Sequence, residues 1–168
     1  MDDERSSDAA TSRGRAIEVR LDDLSSDESQ ALVAEHLAGM ESDSPPGHVN
    51  ALAVAALRAP AVTFWTAWCD GELVGCGALK ELDPRTGEVK SMRTRAAHIR
   101  RGVGQAVLDE IVRTARRRDY ARLLLETGTG PAFEPAHALY RRNGFEWTGP
   151  FGDYTATDFN VFMVKAIG

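Results

Sequence analysis

Apolar positions recur along this chain with two different periods, and the switches between them divide it into short elements. Ile17, Val19 and Leu21 alternate with charged neighbours, which predicts a strand over 16–21. Ser25 and Glu28 stand at capping-box spacing before a helix predicted over about 27–40, with Leu32, Val33 and Leu37 on one face. Ser44-Pro45-Pro46-Gly47 ends that helix, and a second is predicted over about 49–58, ahead of Pro60. Residues 61–69 and 72–81 read as two strands joined by Asp70-Gly71, a pair suited to a type I′ turn. The register of that turn sets Cys69 opposite Glu72 and Cys76 opposite Trp65, so the two thiols do not meet. Asp83-Pro84-Arg85-Thr86-Gly87 is a second turn, followed by a strand over 88–94.

The clearest pattern comes next. Val103, Val107, Leu108, Ile111, Val112 and Ala115 form one stripe of a helix over about 103–118. Residues 121–126 (ARLLLE) read as a buried central strand, and 135–143 as a fourth helix with Gly144 at its C′ position. Two last strands follow over 145–148 and 161–165. The order β-α-α-β-β-β-α-β-α-β-β belongs to the α+β class, with a mixed, mostly antiparallel sheet of six to seven strands, four helices and a parallel β-α-β step between 88 and 126. Residues 1–15 are polar and are expected to form a disordered tail, leaving 16–168 as one domain.

Composition agrees with one core: 168 residues, 43% of them hydrophobic. The longest apolar run, 51–57, is far too short to cross a membrane, and the acidic start is unlike a secretory signal. A soluble, cytoplasmic protein with no membrane partner is expected. Charge is unevenly spread. Residues 1–88 carry 17 acidic against 7 basic side chains, while residues 93–118 carry 8 arginines against Asp109 and Glu110. So small a basic block in an acidic chain argues against nucleic acid and fits a small anionic ligand held locally. Two cysteines without zinc spacing, and histidines without a second ligand or a nucleophile beside them, give no support to a metal or a catalytic triad.

That leaves Gly102-Val103-Gly104, which opens a helix just after a strand, with Arg100 and Arg101 beside it. Free amides and the positive end of a helix cradle phosphate, although a purely structural turn uses glycines in the same way. A dinucleotide fingerprint would need a small residue at Val107, and a P-loop would need Gly-Lys-Ser/Thr; neither is present.

Three stretches together resemble the GNAT (GCN5-related N-acetyltransferase) superfamily. They are Gly87-Glu88-Val89-Lys90-Ser91-Met92-Arg93-Thr94, Arg100-Arg101-Gly102-Val103-Gly104-Gln105-Ala106, and Ala136-His137-Ala138-Leu139-Tyr140-Arg141-Arg142-Asn143-Gly144-Phe145. The late segment, Gly149-Pro150-Phe151-Gly152-Asp153-Tyr154 to Asn160-Val161-Phe162-Met163, is similar to that of small bacterial acetyltransferases without firmly assigned substrates. One position departs from the pattern: Ile99 stands where the loop usually begins with Gln or Arg, so a side-chain contact to phosphate is expected to be lost there, with Arg100 or Arg101 compensating and the backbone contacts unaffected.

The resemblance implies acetyl transfer from acetyl-CoA, without a metal, to a primary amine on a small molecule or peptide. The alternative it leaves is a non-catalytic acyl-CoA-binding or sensor domain. It implies that Met92 and Thr94 hold the pantetheine arm through backbone groups, that the backbone N–H of Met92 or Arg93 faces the thioester oxygen, and that residues 101–106 (Arg101, Gly102, Val103, Gly104, Gln105 and Ala106), with Arg100, surround the pyrophosphate. It places Glu88 as general base, with Glu81 and Glu126 as substitutes, and Tyr140 as the acid for the leaving thiolate. The same tyrosine shares a helix face with Phe133 and Ala136 and would also pack there. His137 and Asn143 read as a surface histidine and a solvated helix end. Trp65 and Trp68 fall on opposite faces of one strand; Trp65, Phe151, Asp153 and Tyr154 are expected in the acceptor wall, whose acidic, aromatic character suits a cationic amine. A two-fold dimer is the default expectation.

Overall fold

Asp70 and Gly71 both adopt positive φ, at 51° and 77°, as a type I′ hairpin turn requires. The computed structural model describes residues 16–43 and 54–168. They form β1 (Ile17–Leu21), α1 (Asp27–Asp43), α2 (Val54–Leu57), β2 (Val62–Cys69), β3 (Glu72–Asp83), β4 (Thr86–Thr94), α3 (Val103–Arg117), β5 (Arg122–Gly128), α4 (Glu134–Arg142), β6 (Glu146–Thr148) and β7 (Asn160–Ala166). The expected tail, the Pro45-Pro46 break and the first half of the second helix lie outside the described residues. The strands make one sheet in the order β1-β2-β3-β4-β5-β7-β6. Every pairing is antiparallel except β4 with β5, which is the parallel step carried by α3.

Helices cover both faces. All six stripe residues of α3 are buried, against Trp65, Val74, Val89, Leu123 and Leu125. Each buried Val, Leu or Ile of the stripe contributes about 1.5–3 kcal/mol relative to exposure, so burial of this stripe holds α3 in place. Gly77 lets the helix lie close: a Cβ there would fall 2.5 Å from Val107 Cγ1 and 2.6 Å from Met92 Sδ. On the other face α1 and α2 bury Leu32, Val33 and Leu57 against Phe64, Leu73, Cys76 and Ala78.

Two local expectations are corrected. The cap of α1 is Ser26, whose Oγ accepts the Ser29 amide at 3.1 Å. Ser25 cannot serve, because its own amide is held by Asp23 Oδ1 at 2.9 Å in a preceding turn. Cys76 faces Thr66, and Trp65 faces Gly77. The hairpin starts in the expected register, with Cys69 opposite Glu72, but Trp68 pairs with Leu73 and Ala67 with Gly75. Val74 is therefore an extra residue, a β-bulge that moves every later partner by one. Both thiols are free.

A second bulge shapes the site. Ala78 pairs with Lys90 and Cys76 with Arg93, so Ser91 and Met92 together oppose Gly77. Ser91 takes φ of 55°, a conformation that costs a side-chain-bearing residue roughly 1–2 kcal/mol. The bulge reverses the alternation of β4. Arg93 joins Glu88 and Lys90 on the α1 face, opposite residues buried under α1, while Val89 and Met92 pack toward α3. Beyond Glu88 and Leu124 the parallel strands are no longer paired, although both continue.

Candidate active site

The gap between the parted strands opens a cleft of about 850 Å3. Its lining includes β4 from Glu88 to Thr94, the start of α3, the end of β5 and the inner side of α4. A shallower dip at the β1–α1 junction holds Asp22, but its carboxylate is already bound by Ser29, Thr66 and the Leu24 amide.

At the wide end of the gap, past the last residue of β4, α3 begins. Its N-cap, Gly102, has φ of 84° and offers no side-chain cap. The Ala106 amide donates to the Gly102 carbonyl at 3.0 Å, so the amides of Val103, Gly104 and Gln105 precede the first intrahelical bond. Such an end attracts anions. A Cβ on Gly104 would lie 3.2 Å from Leu139 Cδ2, so glycine lets α3 and α4 close up. Arg100, Gly102, Val103, Gly104 and Gln105 line the cleft with Met92, Arg93 and Thr94; Arg101 and Ala106 are outside this lining. Asn143 is a clamp, not a solvated end. It exchanges side-chain hydrogen bonds of 2.8 and 2.9 Å with Gln105 and donates to the Leu139 carbonyl at 2.7 Å.

Tyr140 is buried, packs edge-on to Phe145 at 5.6 Å between centroids, and lines the cleft. Ala136 packs against the same core, whereas Phe133 belongs to the turn before α4 and is buried against Phe159; both also line the cleft. Burial pushes the Tyr140 phenol well above its usual range, so the hydroxyl keeps its proton at neutral pH. Packing and a place in the cleft are thus both present.

Glu88 lies where the strands begin to part. It is 3% exposed and held in a polar cluster through one carboxylate oxygen. Tyr154 Oη donates to Glu88 Oε1 at 2.6 Å, and Lys90 Nζ donates to the same oxygen at 3.0 Å and to Tyr154 Oη at 2.7 Å. Burial first, then the bond to Glu88 and the charges of Glu88 and Glu126, push the Tyr154 phenol far up. Phe151 stacks on Tyr154 and on Phe162, at 5.1 and 5.7 Å, and pins this loop over the sheet. Glu126 lines the cleft and accepts from Asn160 Nδ2 at 3.0 Å, whereas Glu81 is exposed and outside it.

The structure does not bring every expected residue to the cleft. Trp65, 2% exposed, lies in the core with α3, and Asp153 is on the surface. His137 contacts the Gly128 carbonyl at 2.7 Å and stacks on Trp147 at 5.1 Å, so it braces α4 against the sheet. Lys90 was missed, although its two-residue spacing from Glu88 already put both on one face. His36 and Ser91, also in the lining, carry no signal in sequence. Among the described residues no group of three His, Cys, Asp or Glu side chains is placed to hold a metal, and no helix is long and apolar enough to cross a membrane.

Residues 21–145 match the acetyltransferase (GNAT) family. YsnE of Bacillus subtilis strain 168, an uncharacterized N-acetyltransferase, is 49% identical over 151 residues, which cover 90% of this chain and 100% of YsnE. YedL of Escherichia coli K12, another uncharacterized N-acetyltransferase, is 46% identical over 86% of this chain and 91% of its own. A crystal structure from Klebsiella pneumoniae, provisionally named an acyl-CoA N-acyltransferase, is 27% identical and superposes with a TM-score of 0.75 over 90% of this chain and 98% of that one. A family match over most of the chain, with near-half identity along whole relatives, supports one conclusion: this chain belongs to the acetyltransferase (GNAT) family, and its class of reaction is acyl transfer.

Proposed function

We propose that the protein moves an acetyl group from acetyl-CoA to a primary amine by direct attack. The observation that carries this reading is the parting of β4 from β5, with Glu88 at the apex of the gap and free α3 amides beyond its wide end. The residues present fit a CoA thioester. The amides of 103–105 with Arg100 would hold the pyrophosphate, and the β4 backbone at Met92 and Thr94 the pantetheine arm. The thioester supplies an activated acyl carbon and a thiolate leaving group.

The rest is done by side chains of this chain. An alkylammonium acceptor must lose a proton before its nitrogen can attack, and Glu88 takes it, directly or through water. Lys90 and Tyr154 both bind Oε1, which fixes the carboxylate and leaves Oε2 for that proton. The protonated Tyr140 hydroxyl donates a hydrogen bond to the departing sulfur. Ionising a buried phenol is costly, so this bond, rather than full transfer, is its main contribution. The N-acetyltransferase names of YsnE and YedL support nitrogen as the acceptor atom.

A panel of amines assayed for thiol release from acetyl-CoA tests the reading. Tyr140→Phe keeps the ring packing and should lower kcat by about 10²–10⁴-fold with little change in acetyl-CoA affinity. Glu88→Gln should remove the acidic limb of the pH–rate profile. Tight acetyl-CoA binding with no thiol release for any amine would replace this reading with that of a non-catalytic acyl-CoA-binding domain.

A further inference from the structure

Four buried side-chain polar atoms among the described residues have no hydrogen-bond partner: His36 Nδ1, Ser91 Oγ, Arg93 Nε and Tyr120 Oη. Folded proteins keep such atoms few, because each one left unmet costs about 1–3 kcal/mol. Three of the four belong to side chains that line the cleft. They come from α1 and from the β4 bulge. Unmet polar atoms gathered on one wall of a cleft point to a ligand that meets them.

The chemistry of the three narrows that ligand. Arg93 is a permanent cation with a fork of N–H donors. Its carboxylate neighbour, Glu35, lies 4.0 Å from Nη2, beyond hydrogen-bond reach; Glu35 is 43% exposed and also serves Arg95 at 3.5 Å. The Arg93 charge is therefore only loosely met, whereas the Lys90 charge is taken up by Glu88 at 3.0 Å. Ser91 adds a hydroxyl donor. Burial, and then the charge of Arg93, hold the His36 imidazole down at about 4, so at neutral pH it is uncharged and offers one ring N–H. One lasting positive charge among several donors is the complement of a single carboxylate. The backbone strain at Ser91 fits the same purpose: without the bulge Arg93 would point to the α3 face, away from Glu88.

We propose that Arg93, with Ser91 and His36, binds a carboxylate of the acceptor, so that the acceptor is an amino acid or another amine that itself carries a carboxylate. This rests on the reading of the cleft as an amine-acetylating site, and it reverses the cationic acceptor expected from the acidic first half of the chain. That expectation relied on the net charge of residues 1–88 and on Asp153 and Asp158 of the late loop, both of which are on the surface. The charges that face the acceptor from β4 are the Glu88–Lys90 pair and Arg93.

Binding, measured without turnover, separates the two proposals. N-acetylated amino acids with small, aliphatic and aromatic side chains, each paired with its carboxamide, would be titrated calorimetrically against the CoA-saturated protein. At least one acid should bind tenfold or more tightly than its amide. Arg93→Met should abolish that difference while still melting cooperatively, and Arg93→Lys, which keeps charge but loses the fork, should restore part of it. Acids and amides binding alike in the wild-type protein, neither binding, or a preference that persists in Arg93→Met would each overturn the carboxylate site. Thiol release is read separately with the free amines: acid-selective binding without turnover would sustain this site and refute acetyl transfer.

Discussion

Acid should destabilise this protein in part through one side chain, His36. The imidazole is 7% exposed, and its Nδ1 has no partner. Burial and Arg93 hold its folded-state value at about 4, against 6.5 when unperturbed. Between those values the unfolded chain binds a proton that the folded chain does not. Stability contributed by neutral His36 is therefore complete above about pH 6.5 and is lost as pH falls toward 4. The whole gap is equivalent to ~3 kcal/mol, of which about 2 kcal/mol disappears between pH 7 and pH 5. His36→Gln keeps a polar side chain but takes up no proton. Urea unfolding of both proteins, followed by tryptophan fluorescence at pH 7, 6 and 5, isolates the effect, because the shared carboxylates cancel in the difference. The wild-type protein should lose about 2 kcal/mol relative to the variant, or roughly 4–8 °C in Tm for a domain of this size. Parallel losses in the two proteins would refute the argument.

Three further outcomes are expected. Gly104→Val places a branched side chain against Leu139, where even a Cβ has only 3.2 Å, and should weaken acetyl-CoA affinity at least tenfold by calorimetry in a folded protein. Lys90→Met leaves Glu88 buried without its cation, which should cost about 3–5 kcal/mol in denaturant titrations. Gly87→Ala would put a Cβ 2.7 Å from Leu79 Cδ1 and 2.8 Å from Tyr120 Cε2, and overpacking of that kind should cost about 1–3 kcal/mol; an unchanged denaturation midpoint would count against the packing described.

Local patterns were readable where one residue type answers one physical demand. Asp70-Gly71 announces its turn because few residues tolerate two successive positive φ values, and the α3 stripe announces its helix because all six residues meet one core. Both bulges were hidden, since Val74 and Ser91 are ordinary strand residues and nothing local marks them. The price was a wrong partner for Cys76, and no warning that Arg93 shares a face with Glu88 and Lys90. Glu88 could be singled out by its place in the strand, but its surroundings could not: Tyr154 reaches it from 66 residues away in sequence. Strand parity separated Trp65 from Trp68, yet parity cannot say which face is core. The orphaned atoms of His36, Ser91 and Arg93 emerge only when α1 is laid over β4.

A sheet of seven strands would ordinarily have two edges. Here the three-pair seam between β4 and β5 gives it four, because the strands run on past Leu124 and Glu88 with their inner borders unpaired. Inner borders of this kind differ from the usual exposed strand edges, since each faces the other across the cleft and not open solvent. They also divide the molecule mechanically. One half holds β1–β4 and the other β5–β7, joined by the seam and by α3. A ligand that hydrogen-bonds both borders acts as the missing rungs of a ladder and ties the halves together. Saturation at a hundred times Kd would add ~2.7 kcal/mol to the stability of the whole, and the slowing of amide exchange should be greatest along the free stretches of β4 and β5.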